Sequence, residues 1–205
     1  MIARLSHGLE RRARRLRSQL RDARPSIQVV KNRFTGPIVG CEVGTFRGIH
    51  AEQMLRTLPN LIHLYLVDPY TMYEGYTDFE NPSNQLLRRA EEEAKTRLQP
   101  YKNRIVWVRE KFDAKQIPEP LDFIYIDGQH TYEAVTHDII HAEKLVKPGG
   151  IIAGHDYYPL GHHLNTRFGV GEAVRDYYGT RHRWELNDWW VMLEITREHD
   201  RRRNR

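Results

Sequence analysis

The chain has one cysteine, Cys41. A lone thiol closes no internal disulfide and builds no cysteine zinc cluster. A reducing, cytoplasmic setting is the expectation. Long apolar runs are missing too, since none approaches the ~20 residues of a membrane span. The arginine-rich start lacks the apolar stretch of a secretory signal. There is no internal repeat, no low-complexity stretch and no mark of a second domain. What is present is 205 residues, 40% hydrophobic and 29% charged. That suffices for one globular α/β domain with a sizeable core.

The formal charge of +5 is gathered at the ends. Residues 1–25 carry eight arginines against Glu10 and Asp22, a net +6; residues 197–205 carry five against Glu198 and Asp200, a net +3. The rest of the chain is therefore −4. Such ends either sit in solvent or hold phosphate backbones, anionic lipid or an acidic partner. Ile2, Leu5, Leu9, Ala13, Leu16 and Leu20 recur at steps of three and four, one apolar stripe on a helix that Pro25 ends. The stripe is narrow and has no aromatic residue. That favours packing, or pairing with a second copy as a homodimer, over lipid.

Residues 1–30 are expected as basic helix and linker, 31–196 as the folded domain, and 197–205 as a basic tail. Inside the domain, strand patterns at 37–43, 61–67, 104–108, 121–126, 150–154 and 189–195 alternate with helix patterns at 48–58, 84–98, 132–146 and 171–179. Asn81 or Ser83 caps the second of these helices. Pro148-Gly149-Gly150 stops the third. Strand and helix in alternation mean a mostly parallel sheet covered on both faces. The last strand enters from a hairpin, antiparallel, at or beside an edge. Ligands of such sheets bind outside the carboxyl ends of the strands.

The first strand ends in "CEVGTFRGIH". Glu42, Gly44 and Gly48 form acid-x-Gly-x-x-x-Gly, not the Gly-x-Gly-x-x-Gly of a dinucleotide fold. Glu42 repels a pyrophosphate and favours an ammonium. The second strand ends at Asp68, an acid able to accept both hydroxyls of a ribose, or a turn acid before Pro69. The fourth ends at Asp127 in "FIYIDGQHTYEAV", and the fifth at His155 and Asp156 in "GHDYY". Two carboxylates at neighbouring strand ends need a cation or a shared proton. Oxygen ligands suit Mg²⁺. With a histidine added, Mn²⁺, Fe²⁺ or Zn²⁺ also fits. Asp127 and Thr131 also read as a turn acid and a helix cap, and His155 as a core histidine. Tyr73, Tyr76, Tyr157 and His162 lie in stretches that suit the mouth of an acceptor pocket, or ordinary packing.

Together, "EVGTFRG", "LVDPY", "LDFIYIDGQHTYEAV", "KPGGIIAGHDYY" and "FGVGEAVRDYY…WWVM" resemble the class I S-adenosylmethionine-dependent methyltransferases, methyltransferase family 24 type. The resemblance covers about residues 37–195 and implies a Rossmann-like fold with a seven-stranded sheet and one antiparallel strand near an edge. It implies that Glu42, Gly44, Thr45 and Phe46 line the methionine end of the cofactor. Asp68 would hold the ribose, and Lys111 or Phe112 the adenine. Relatives often have serine where Phe112 stands. The resemblance extends to metal-dependent sugar O-methyltransferases. It implies Asp127 and Asp156, with His155, as Mg²⁺ or Mn²⁺ ligands beside cofactor and acceptor. His130, by its spacing from Asp127, matches their general base. A sugar hydroxyl needs such a base, because its proton must go somewhere.

The expected activity is O-methylation of a sugar, glycoside or other small molecule. The rivals are an RNA or other nucleic-acid methyltransferase, suggested by the basic ends, and a non-catalytic cofactor binder that assembles through its helix. Against the first, no Asn/Asp-Pro-Pro-Tyr follows the fourth strand, and Cys41 lies inside a strand. A nicotinamide dehydrogenase is disfavoured by Glu42.

Overall fold

A computed structural model describes residues 23–76, 83–158 and 168–195. The helix expected over 2–22, the basic tail, Asn81 and His162 lie outside the described residues. Ordered by chain, the elements are α1 (Pro25–Arg33), β1 (Ile38–Val43), α2 (Ile49–Thr57), β2 (Leu61–Val67), α3 (Asn84–Leu98), β3 (Ile105–Val108) and β4 (Leu121–Ile126). Then come α4 (Tyr132–Leu145), β5 (Val146–Gly154), α5 (Val170–Tyr178), β6 (Arg183–Glu185) and β7 (Asp188–Met192).

The strands form one sheet in the order β3-β2-β1-β4-β5-β7-β6. β1 to β5 run parallel, and β7 is antiparallel to both β5 and β6. This is the Rossmann-like arrangement that the resemblance implied, with the antiparallel strand next to one edge. β1 and β4 are buried almost throughout because helices cover both faces. Alternation sorts their side chains. Ile124 and Ile126 pack with Val135, Ile139 and Val174 under α4 and α5, whereas Phe123 and Tyr125 pack with Ile27, Met54 and Leu55 under α1 and α2. Among the described residues no helix is long and apolar enough to cross a membrane.

Three details depart from the sequence reading. The stretch after Pro25 is a helix rather than a link, and Pro25 starts it at the first position, where its missing N–H costs nothing. Ile27 and Val30 anchor that helix in the core. Pro148-Gly149-Gly150 lies within β5, after α4 has already ended at Leu145. The register against β4 jumps there, from Leu121↔Val146 to Phe123↔Ile151, so the glycines make a bulge. β6 is short and exposed, with no apolar pattern to reveal it. Ser83 does cap α3, accepting from the Leu86 N–H at 3.1 Å.

Candidate active site

At the carboxyl edge the ladder runs one residue past each strand. Asp68 N–H donates to Val108, Gly44 to Val67, Asp127 to Val43 and His155 to Ile126, at 2.8–3.1 Å. The four positions singled out in the sequence therefore stand side by side. β1 and β4 are the central pair, where the strand order reverses, and the edge opens beside them. The cavity there measures about 530 Å³. Gly44 makes the crowding possible: its φ is +89°, and a Cβ would overlap the Asp127 carbonyl oxygen.

Gly44, Thr45, Phe46, Asp68, Lys111 and Phe112 all line the cavity. Asp68 is fixed by the N–H of Phe46 at 2.8 Å and of Tyr70 at 2.9 Å. Burial raises its pKa against the pull of these bonds. Each of its oxygens keeps a second lone pair for a hydroxyl donor. Phe112 is buried and adds an apolar side chain to the lining. Lys111 Nζ sits 3.7 Å from the centre of the Tyr73 ring, and the Tyr73 hydroxyl donates to Gln129 at 3.0 Å. Tyr76 packs edge-on against Tyr73, and both line the mouth.

Glu42 lies beneath the floor, 1% exposed. One oxygen meets His50 Nδ1 at 3.0 Å; the other, Oε2, has no partner among the described residues. Burial, then Asp127, drives its pKa well up, while Arg24 opposes them. Burial and Arg24 drive that of His50 well down. The two groups are thus held close to neutrality, an arrangement an incoming cation would change.

Asp127, His130 and Asp156 meet at one point, each with a donor atom within 4.8 Å of the others. His130 Nε2 is 3.0 Å from Asp156 Oδ2 and 3.7 Å from Asp127 Oδ1. Burial alone would raise both carboxyls, yet the net shift is downward. His130 and Arg24 outweigh burial at Asp127, and His130 and His155 do so at Asp156. Both are therefore ionised at neutral pH. His130 is clamped: its ring stacks on Phe168 at 4.7 Å, and its carbonyl accepts the Gly169 N–H at 2.8 Å. Asp156 takes a left-handed φ of 55°, which turns the chain back at the sheet edge.

His155 stands on the far side of Asp156, with Nδ1 3.3 Å from Oδ1, and the three-atom cluster is completed by His130 instead. Tyr157, expected at the acceptor mouth, points into the core. It is buried, its hydroxyl meets His182 Nε2 at 2.8 Å, and its ring stacks on Trp184. The reversal at Asp156 sends it there.

The sequence reading missed Arg24, whose Nη1 donates to Asp127 Oδ2 at 3.0 Å and to the Tyr125 hydroxyl. Seven other arginines precede it, which hid it; the only usable signal was Pro25 as a helix start. It also missed His50, the second residue of α2, two past Gly48, which lines the cavity and meets Glu42.

A family model described as "Methyltransferase domain", Methyltransf_24, matches residues 41–157. Solved structures share the fold at low identity. An O-methyltransferase, TomG from Streptomyces achromogenes, is 15% identical with TM-score 0.54, over 82% of this chain and 77% of that one. An O-methyltransferase from Bacillus cereus is 16% identical with TM-score 0.52, over 83% and 82%. A putative rRNA-methylase from Clostridium thermocellum is 14% identical with TM-score 0.56, over 82% and 94%. No curated protein matches the sequence at a significant level.

Proposed function

The chain belongs to methyltransferase family 24 and is an S-adenosylmethionine-dependent methyltransferase; from that premise we propose that it methylates a hydroxyl of a sugar, glycoside or other small molecule with the aid of a divalent cation. The observation that carries the proposal is the meeting of Asp127, Asp156 and His130 beside the cofactor cavity. Two ionised carboxylates fit an oxygen-seeking cation, Mg²⁺ or Mn²⁺, with the His130 ring beside them. Asp127 and Asp156 would hold the ion. Bound there, it would draw in acceptor oxygens and lower the pKa of a hydroxyl.

The cofactor supplies a methyl group on a sulfonium, so the transfer is a displacement that needs alignment rather than a covalent enzyme intermediate. The chain's own residues provide that alignment. Asp68 is set to receive ribose hydroxyls, and Glu42 an ammonium. The His130 imidazole takes the proton of the acceptor hydroxyl. The positive ring that results lies 3.0 and 3.7 Å from two carboxylates, which stabilise it. Phe168 and the Gly169 N–H keep the ring from turning away.

Labelled methyl transfer from S-adenosylmethionine tests this. The acceptor panel holds glycosides, catechols and RNA, each assayed with Mg²⁺, Mn²⁺ or a chelator. RNA belongs in it because a putative rRNA-methylase shares the fold. The expected result is a labelled glycoside, lost with chelator and in Asp127→Ala. Labelled RNA, or transfer indifferent to chelator, contradicts the proposal.

A further inference from the structure

Arg24 carries more hydrogen-bonding capacity than the protein uses. Both of its hydrogen bonds leave through Nη1, to Tyr125 and to Asp127. Its Nε and Nη2 donors make no bond to the described residues. Its posture is nevertheless fixed from behind. The Tyr125 hydroxyl donates to Asp188 Oδ1 at 2.8 Å, and Asp188 Oδ2 accepts from Ser26 Oγ at 2.6 Å and Ser26 N at 3.2 Å. Asp188 is 2% exposed. A buried polar chain thus joins α1, β4 and β7, and its outcome is a guanidinium held in the wall of the cavity that Gly44, Thr45 and His50 also line.

Below the same wall lies the second incomplete group, Glu42 Oε2, buried and without a partner. One buried acceptor, which ionises as an ammonium arrives, and one unfilled donor edge make a pair of contacts for a zwitterion. We infer that Arg24 binds the carboxylate of the cofactor's amino-acid tail, while Glu42 takes the ammonium. The inference rests on this chain's use of S-adenosylmethionine. The geometry of the guanidinium favours it: a planar fork meets a carboxylate with two parallel bonds. Asp127 already occupies Nη1, so the carboxylate takes the Nε–Nη2 edge. Arg24 then stands between two anions, and its single charge serves both.

The consequence is selective. The tail needs Arg24, and the nucleoside does not. Calorimetric titration of S-adenosylhomocysteine and of 5′-methylthioadenosine, which lacks the amino-acid tail, separates the two. In Arg24→Gln the affinity for S-adenosylhomocysteine should fall about 10- to 100-fold. The affinity for 5′-methylthioadenosine should stay within about twofold, which also shows that the variant is folded. Arg24→Lys keeps a point charge without the fork and should fall between. Unchanged S-adenosylhomocysteine binding in Arg24→Gln overturns the inference, as does an equal loss for both ligands. A native chain that binds neither ligand overturns the cofactor reading itself.

Discussion

Glu42 is the residue whose charge depends most on what fills the cavity. Burial and Asp127 raise its pKa, and an ammonium beside Oε2 lowers it again. Cofactor binding should therefore release a proton at pH values lying between the two. Binding enthalpies measured in buffers of different ionisation heat should diverge, and Glu42→Gln should remove the divergence. Buffer-independent enthalpies would mean that Glu42 is already ionised. Asp156 works in the opposite sense. Its folded pKa lies below the ordinary 3.8, so it stabilises the fold above about pH 4. That contribution disappears as the pH falls further. Denaturation of native chain and Asp156→Asn should differ at pH 7 and converge in acid. At His130, a base and a ligand predict different things. His130→Gln should lower turnover about 10²–10⁴-fold while metal affinity stays within about threefold. A parallel loss of metal affinity would make His130 a ligand.

At the level of elements, the site depends on how closely the ends of β1 and β4 approach. Gly44→Ala places a methyl group against the Asp127 carbonyl at a φ that alanine avoids. The expected loss of stability is at least about 3 kcal/mol, read as a fall in thermal midpoint of about 6 °C or more. The strand ends that build this junction were legible in the sequence because parallel strands buried on both faces are continuous apolar runs, and Glu42, Asp68 and Asp127 interrupt or terminate them. α1 was not legible. Only Ser26, Ile27 and Val30 of its nine residues are buried, and Pro25 reads equally as a stop and a start. β6 was not legible either, since Arg183, Trp184 and Glu185 are all exposed. The cost of missing α1 was missing Arg24. No spacing rule connects Arg24 to Asp127 across 103 positions, and only the folded sheet brings them together.

Across the whole molecule, labour divides at the centre of the sheet. β1 and β2 present the groups that suit a nucleoside and an amino-acid tail. β4 and β5 present the acids and the histidine, and the reversal of strand order between β1 and β4 sets the two groups side by side. The pairing of Asp127 with Asp156 could be expected from their positions at neighbouring strand ends. That His130 rather than His155 completes the cluster could not. It depends on the stacking of Phe168, which belongs to the approach to α5. The account stands or falls on whether this cluster binds a cation. Titration of Mn²⁺ into the chain saturated with S-adenosylhomocysteine, followed by calorimetry, measures it directly. One site in the native chain, weakened at least about 100-fold in both Asp127→Asn and Asp156→Asn, is the result predicted. No Mn²⁺ site, or one indifferent to both substitutions, would contradict it.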